Sequence, residues 1–420
     1  MRVKAVGNNK IPADLLVFSG SFNPVHQGHL KIVEVASKML QKPVQLELSR
    51  KNTDKPYLDG VTFDKRRKQI QAACKGNKYV GDLYMSNLAL FLRKAIEFPK
   101  ATFIVGEDTL LGINNPKNWQ IYPDADKIAA EFKRLGIRFL VFQRKGYDIS
   151  GVSKRLLGLC TFVSIKDYED DGISSTEIRQ EQQIDQIVQW IAGKVSKSKS
   201  KGAVFGLSGG LDSAVVAALC KKALGECVKG IIMPCDSQPQ DKEDALLLAE
   251  TIELNVDEIE LFPCYQALVG QTLGGSKLSR ANMKARLRMA TLYYIANSNN
   301  YLVAGTGNKS ELMTGYFTKY GDGGADILPI GNLYKTEVQA LARKLNIPKQ
   351  IIEKPPSAGL WEGQTDEAEL GMSYEVLDVA LIAIEQYQEK NVDAKILAKV
   401  KARVKGTEHK RKMPPMFGVN

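Results

Sequence analysis

Three short stretches of this 420-residue chain place residue types where they could act on phosphate. In GSFNPVHQGHL, residues 20–30, His26 and His29 flank Gln27 and Gly28. Both imidazoles can then face one phosphate chain, while the glycine admits close backbone approach. Metal ligation is the weaker reading, because no third ligand is evident. In ISSTEIR, residues 173–179, Ser174, Ser175, Thr176 and Arg179 gather hydroxyls and a guanidinium at a helix start, which suits phosphate. In SGGLDS, residues 208–213, the amides of Gly209 and Gly210 can form an anion nest aimed by a helix N-terminus. Asp212 stands there where it could hold magnesium on a released pyrophosphate, and the lysine of a Walker A loop is missing. Plainer readings exist: two solvated loop histidines, or a tight turn capped by serine and aspartate.

The flanking elements favour the chemical readings. ADLLVFS (13–19) reads as a buried strand, and LKIVEVASKML (30–40) has helical apolar spacing, so the histidine turn joins a strand to a helix. ATFIVGED (101–108) and RFLVFQRK (138–145) read as further strands around the helix DADKIAAEFKRLG (124–136), whose C-cap glycine is Gly136. After the amphipathic segment IDQIVQWIAGKV (184–195) and the solvated tract KSKSK (197–201), the order repeats. GAVFGL (202–207) is a strand, SGGLDS the loop, SAVVAALCKKAL (213–224) a helix, KGIIMP (229–234) a strand and KEDALLLAETIE (242–253) a helix. Alternating strands and helices predict two doubly wound, mainly parallel α/β domains, residues 1–179 and 180–420. EKPPSAGLWEGQTD (353–366), with two prolines and two glycines, predicts a mobile loop, either a lid over a nucleotide or a plain surface excursion.

Composition narrows the class. Hydrophobic residues at 44% and charged residues at 25% fit a soluble globular protein and exclude collagen-like, disordered and disulfide-scaffold chains. No apolar run approaches the roughly 18 residues of a membrane helix, and the N-terminus lacks a signal peptide's apolar segment, so a cytoplasmic protein without membrane partners is expected. The six cysteines form no C-x-x-C pair, which predicts reduced thiols rather than a zinc site. A formal charge of +11 favours anionic partners, small phosphorylated molecules as well as nucleic acid.

SGGxDS is the signature of the PP-loop ATP pyrophosphatases, which adenylate a substrate by splitting ATP between its α and β phosphates. ANMKARLRM (281–289), GTGNKSELMTGYFTKYGDGGADILPIGNLYKTE (305–337) and TEHKRKMPPMF (407–417) narrow this further, and residues 180–420 resemble ammonia-dependent NAD synthetase. The resemblance implies ATP as co-substrate, held by Gly206, Ser208, Gly209, Gly210, Asp212, Ser213, Met233, Thr306, Lys335 and Ser357, the last replacing the family's usual threonine. It implies Mg2+ on Asp212 and Glu311, which neutralises phosphate charge while a nicotinate carboxylate attacks the α-phosphorus. Arg286, Lys319, Asp326, His409 and Lys410 match contacts to deamido-NAD. Asp322 is the candidate to accept a proton when ammonia attacks the acyl-adenylate. A homodimer through this half is implied too.

HxGH with a later ISSTxIR resembles the nicotinate or nicotinamide mononucleotide adenylyltransferases over residues 13–180. Gly20, Ser21, Phe22, Ser174, Ser175, Thr176 and Arg179 are then ATP-binding, Asp108 of FIVGEDTL contacts nucleotide, and His26 and His29 stabilise the departing pyrophosphate. Trp119 either stacks on the pyridine ring or simply packs. ELSRKNTDKPYLD (47–59) lacks the prolines and histidine of the bacterial nicotinate enzymes, so the pyridine substrate stays open.

Joined on one chain, the two resemblances predict successive steps of NAD biosynthesis, with nicotinate mononucleotide adenylylated and the resulting deamido-NAD then amidated. Alternatives are amidation of nicotinate mononucleotide before adenylyl transfer, a catalytically silent N-terminal nucleotide sensor, and an RNA-modifying PP-loop enzyme. The last is disfavoured by the absence of a cysteine pair for sulfur relay, so no nucleic acid partner is expected. Position 2 is arginine and neither half shows a glutaminase nucleophile with its base, so free ammonia is the expected nitrogen source, unless a separate glutaminase docks.

Overall fold

Burial alternates along the strands of the N-terminal half. Val17, Phe103, Val105, Phe139 and Val141 enter one core, while Leu16, Phe18, Ile104, Leu140 and Phe142 enter another on the opposite face. A period of two with both faces apolar is what a parallel sheet covered on both sides requires. The structure is a computed structural model that describes residues 1–6, 11–50, 60–115, 124–144, 146–168, 175–272, 274–357, 359, 361, 363–387 and 389–417. It divides into two units, Met1–Arg179 and Gln180–Asn420.

Among the described residues the first unit holds β1 (Val3–Ala5), β2 (Leu16–Gly20), β3 (Val44–Ser49), β4 (Val80–Ser86), β5 (Thr102–Gly106), β6 (Arg138–Phe142) and β7 (Cys160–Val163), in the order β1-β4-β3-β2-β5-β6-β7. All pairings are parallel. The chain winds outward from β2 to β3 and β4, then returns to β5, so β2 lies at the topological switch point where open α/β sheets bind ligands. Strand β2 starts at Leu16 rather than Ala13, because Asp14 adopts φ 63° and breaks the extended run. Helix Ala125–Arg134 is capped by Asp124, which accepts from Lys127 N at 2.8 Å, and the chain leaves it through Gly136 at φ 70°.

The second unit holds β8 (Gly202–Gly206), β9 (Val228–Ile232), β10 (Val256–Glu258) and β11 (Tyr301–Val303), ordered β10-β9-β8-β11 and all parallel. Phe205 and Ile232 pack on one face of this sheet, Val204 and Ile231 on the other. A further cluster of Tyr334, Leu370, Tyr374, Leu377, Leu381 and Val400 joins the C-terminal helices. Here the switch point lies between β8 and β11. ISSTEIR and IDQIVQWIAGKV, read separately in the sequence, belong largely to one continuous helix, Ser175–Lys197, and the division between units falls inside it. No helix among the described residues is long and apolar enough to cross a membrane.

Candidate functional site

The carboxyl end of β2 opens directly into the histidine turn. Helix Gln27–Leu40 begins on it, with His26 as N-cap. His26 N donates to His29 Nδ1 at 3.3 Å, so the proton of the His29 ring sits on Nε2. The two rings are 3.7 Å apart between centroids, and Phe22 and Phe18 wall in His29 at 5.4 and 5.8 Å. Burial, then the neighbouring His26 and Arg144, hold the His29 pKa down at about 3. The ring therefore presents a neutral N–H donor, and positive charge at the turn must come from elsewhere.

Arginines supply it. Arg179 Nη1 donates to Asn23 O at 2.7 Å and Arg66 Nη1 to Ser21 O at 3.4 Å, so two guanidiniums clasp the turn at backbone carbonyls two residues apart. Burial lowers both pKa values, and Arg179 lowers that of Arg66 further. Asp108, in the first turn of the helix that follows β5, pairs with Arg144 at 3.8 Å, while the buried Glu107 accepts from Arg144 N at 2.8 Å. Gly20 lies under the Phe22 ring. The structure thus brings Gly20, Ser21, Phe22, His26, His29 and Arg179 together, with Arg144 linking His29 to Asp108. Trp119 and Ser174 lie outside the described residues, as do the side chains of Ser175 and Thr176. Arg66 and Arg144 were missed in the sequence because each is one of many surface-like basic residues.

In the second unit the loop Ser208–Gly210 leaves β8 for helix Leu211–Leu224. Gly209 has φ 74°, and a Cβ there would stand 2.1 Å from Asp241 O, so only glycine fits. Ser213 Oγ accepts from Ser208 N at 3.2 Å and donates to Gly210 O at 2.9 Å, which fixes the curl of the loop. Met233 packs against Gly206 at the strand ends.

Across the switch point, β11 runs into Thr306 and the short helix Lys309–Thr314. Asn308, fully buried, is the joint. Its amide donates to Asp212 Oδ1 at 3.1 Å and its Oδ1 accepts from Glu311 N at 3.0 Å, while Asn308 N donates to Glu311 Oε2 at 3.1 Å. Lys335 at the start of helix Lys335–Lys344 forms an ion pair with Asp212. Burial and the neighbouring Asp212 push the Glu311 carboxyl well up, with Lys335 opposing. Burial opposes the Lys335 charge, but Asp212 and Glu311 outweigh it, and its pKa rises to about 12. Behind this group Asp378 accepts from Ser310 Oγ at 2.5 Å and from Thr336 N at 2.9 Å, which locks the two helix starts together. Asn308 was legible as the N-x-x-E capping-box pattern; nothing in the sequence marks Asp378.

The donor set fits a hard dication. Asp212 accepts from the side-chain amide of the buried Asn308 and the Glu311 carboxylate from its backbone N–H, with one lysine facing the two carboxylates, the oxygen environment that magnesium takes. Among the described residues no group of three or more His, Cys, Asp or Glu side chains is gathered to hold a resident ion.

The remaining cationic residues form a second patch. Arg286 Nη2 donates to Lys319 O at 3.3 Å, Lys319 Nζ to His409 O at 2.7 Å, and Lys410 Nζ to Gly315 O and Phe317 O at 2.7 Å each. Asp322 accepts from Thr318 N at 2.8 Å, and crowding by protein atoms raises its pKa although part of the side chain reaches solvent. Burial lowers the Lys410 pKa against the attraction of Asp322. Asp326 is set apart: its oxygens take Val303 N at 2.8 Å and Tyr293 OH at 3.1 Å, bracing the end of β11. Ser357 is exposed and accepts from Gly359 N at 3.1 Å. Residues 358, 360 and 362 of the segment read as a lid lie outside the described residues. Its entry is tied down, since Lys354 pairs with Asp241 at 2.9 Å and Asp244 at 2.6 Å on the helix that touches Gly209.

A parallel sheet whose inner strand β8 feeds a glycine loop, with Asp212 on the following helix faced by Glu311 on the helix after β11 and by Lys335 at the start of a later helix, defines a PP-loop adenine-nucleotide domain. The chain belongs to the NAD synthase family, whose model matches residues 183–414, and a cytidylyltransferase-like model matches residues 17–181. The NH(3)-dependent NAD(+) synthetase of Finegoldia magna is 49% identical over 232 residues, 55% of this chain and 93% of that protein. That of Archaeoglobus fulgidus is 52% identical over 242 residues, 57% of this chain and 97% of that protein. Among solved structures, NMN synthetase from Francisella tularensis is 39% identical with TM-score 0.54, covering 57% of this chain and 99% of that one. NH3-dependent NAD synthetase from Campylobacter jejuni is 37% identical with TM-score 0.50, covering 57% and 98%.

Proposed function

We propose that the chain makes NAD in two ATP-consuming steps, one per unit. The second unit amidates a nicotinate group with ammonia, and the observation that carries this is the joint of Asp212, Asn308, Glu311 and Lys335 over the Ser208–Gly210 nest. Backbone amides of Gly209 and Gly210 hold the pyrophosphate portion of ATP, with Ser208, Ser213, Gly206, Met233, Thr306 and Ser357 completing its site. Asp212 and Glu311 would hold magnesium, which when bound neutralises phosphate charge during in-line attack. Lys335 carries the cation that stays with the phosphates after the carboxylate of the pyridine has displaced pyrophosphate. Arg286, Lys319, His409 and Lys410 supply charge for an anionic dinucleotide, Asp326 braces the end of β11, and Asp322, with its raised pKa, accepts the proton released when ammonia attacks.

The first unit transfers the adenylyl group of ATP to a pyridine mononucleotide. No covalent intermediate is needed; the mononucleotide phosphate attacks the α-phosphorus while His26, His29 and Arg179 align and steady the leaving pyrophosphate. In one order nicotinate mononucleotide becomes deamido-NAD and is then amidated, the substrate pair that fits the NAD synthetase relatives. In a second order nicotinate mononucleotide is amidated first, a reading that the 39% identity to an NMN synthetase supports and the 49% and 52% identities to NAD synthetases do not.

Ammonium and glutamine separate the nitrogen sources. With ATP, magnesium and deamido-NAD or nicotinate mononucleotide, the purified chain is expected to form the amide from ammonium, faster as pH rises and free ammonia increases. Efficient use of glutamine alone would overturn that reading.

A further inference from the structure

A buried carboxylate that neither proposed reaction uses is linked to Lys335 through one tyrosine. Asp366 opens the short helix Asp366–Leu370 and is 3% exposed. Its backbone N–H donates to Pro356 O at 2.9 Å, which closes the segment 356–366 at its base. Its side chain meets phenols rather than a cation. Tyr374 OH donates to Asp366 Oδ2 at 3.0 Å, and the Tyr316 hydroxyl is shared between Asp366 Oδ1 at 3.1 Å and Glu369 Oε2 at 2.8 Å. Tyr374 starts helix Tyr374–Glu385 and is as deeply buried as Asp366. The Lys335 ammonium lies over the Tyr374 ring, 5.3 Å from its centroid.

Packing does not account for the charge. Tyr374 belongs to the apolar cluster of Leu370, Leu377, Leu381 and Val400, where an ionised carboxyl loses hydration that two phenol hydrogen bonds replace only in part. An asparagine would satisfy the same two phenols without that loss. The charge acts on its surroundings instead. Burial opposes the Lys335 cation, while Asp212, Glu311 and then Asp366 support it. Burial likewise raises the Asp366 carboxyl pKa, and Lys335, Tyr374 and Tyr316 oppose the rise.

Lys335 pairs with Asp212 on the helix that follows the glycine loop. In the amidation proposed for the second unit the ammonium turns from Asp212 to phosphate oxygens, so that ion pair cannot fix it throughout. The contact with the Tyr374 ring need not change. A phenol that donates to a carboxylate carries more electron density in its ring, which strengthens its attraction for a cation over the face.

We propose that Asp366 is a positioning residue for amidation, holding the Lys335 ammonium in place through the Tyr374 ring while pyrophosphate leaves. The proposal rests on reading the second unit as an ATP-dependent amidating enzyme. Charge that develops on the leaving group then meets a cation already in position, so the contribution falls on the transition state more than on ATP binding.

The test is kcat and the KM for ATP in amidation of deamido-NAD by the full chain, with magnesium and ammonium. Wild type, Asp366→Asn, Tyr374→Phe and the double variant are compared. Asparagine preserves the hydrogen bonds: its oxygen accepts from Tyr374, its amide donates to the Tyr316 oxygen, and the Tyr316 proton goes to Glu369 alone. Only the charge is lost. Asp366→Asn is expected to lower kcat about tenfold while the KM for ATP stays within about twofold. Tyr374→Phe keeps the ring and removes the hydroxyl link, so it should lower kcat by a similar factor, and it carries the test should Asp366→Asn fold poorly. Because both changes break one chain of contacts, the double variant should lose no more than the larger single loss. A wild-type kcat in Asp366→Asn, a loss confined to the KM for ATP, or losses that multiply in the double variant would overturn the proposal. A wild type that makes no amide overturns the synthetase reading itself, and this proposal with it.

Discussion

His29 shows how one ring changes the handling of charge at the first site. From its spacing the HxGH pair reads as a source of positive charge, but His29 is held neutral at about pKa 3 by burial, His26 and Arg144, so under the proposed adenylyl transfer the compensation falls to Arg179, Arg66 and Arg144. The spacing was legible and the protonation was not, because protonation depends on walls contributed by Phe18 and Phe22. A histidine whose folded pKa lies below its ordinary 6.5 takes up a proton on unfolding. Stability should therefore fall as pH drops from about 6.5 toward 3, by up to about 1.4 kcal/mol per pH unit. Thermal melts between pH 7 and pH 4 should show His29→Gln gaining relative to the wild type; parallel curves would refute the neutral ring. Asn308 is the counterpart in the second unit. Asn308→Ala should cost about 1–3 kcal/mol of stability by stranding buried partners. It should also raise the magnesium concentration needed for half-maximal amidation, read by titrating the metal against NAD formation.

At the scale of elements, the strand-loop-helix units were legible because apolar runs and glycine turns are local signals. The loop after β8 was placed from GAVFGLSGGLDS alone, while its dependence on Asp241 came from a helix thirty residues on and left no mark in the motif. For the same reason the sequence could not show that ISSTEIR opens into a 23-residue helix, Ser175–Lys197, that runs on past the boundary at Arg179. Polar residues between the two apolar stretches mimic a linker. Gly209→Ala combines a strained positive φ with a clash on the Asp241 carbonyl, and should abolish ATP-dependent amidation while leaving adenylyl transfer by the first unit within a factor of a few. Retained amidation in this variant would show that the loop does not hold phosphate.

At the scale of the whole molecule, two parallel sheets with separate cores place the two candidate sites in separate units. Asp212→Ala should therefore remove amidation and spare adenylyl transfer, and His29→Ala should lower adenylyl transfer about a hundredfold and spare amidation, as measured with each half-reaction's own substrate. Equal loss of both activities in a folded variant would contradict separate sites. Either order of reaction converts the same starting mononucleotide to the same product, so one measurement bears on the central claim directly. The purified chain is given nicotinate mononucleotide, ATP, magnesium and ammonium, and the products are resolved by chromatography. NAD is expected to accumulate with one AMP and two pyrophosphates released for each NAD formed. If the mononucleotide is returned unchanged, or turnover halts at deamido-NAD or at nicotinamide mononucleotide, the chain does not join the two reactions.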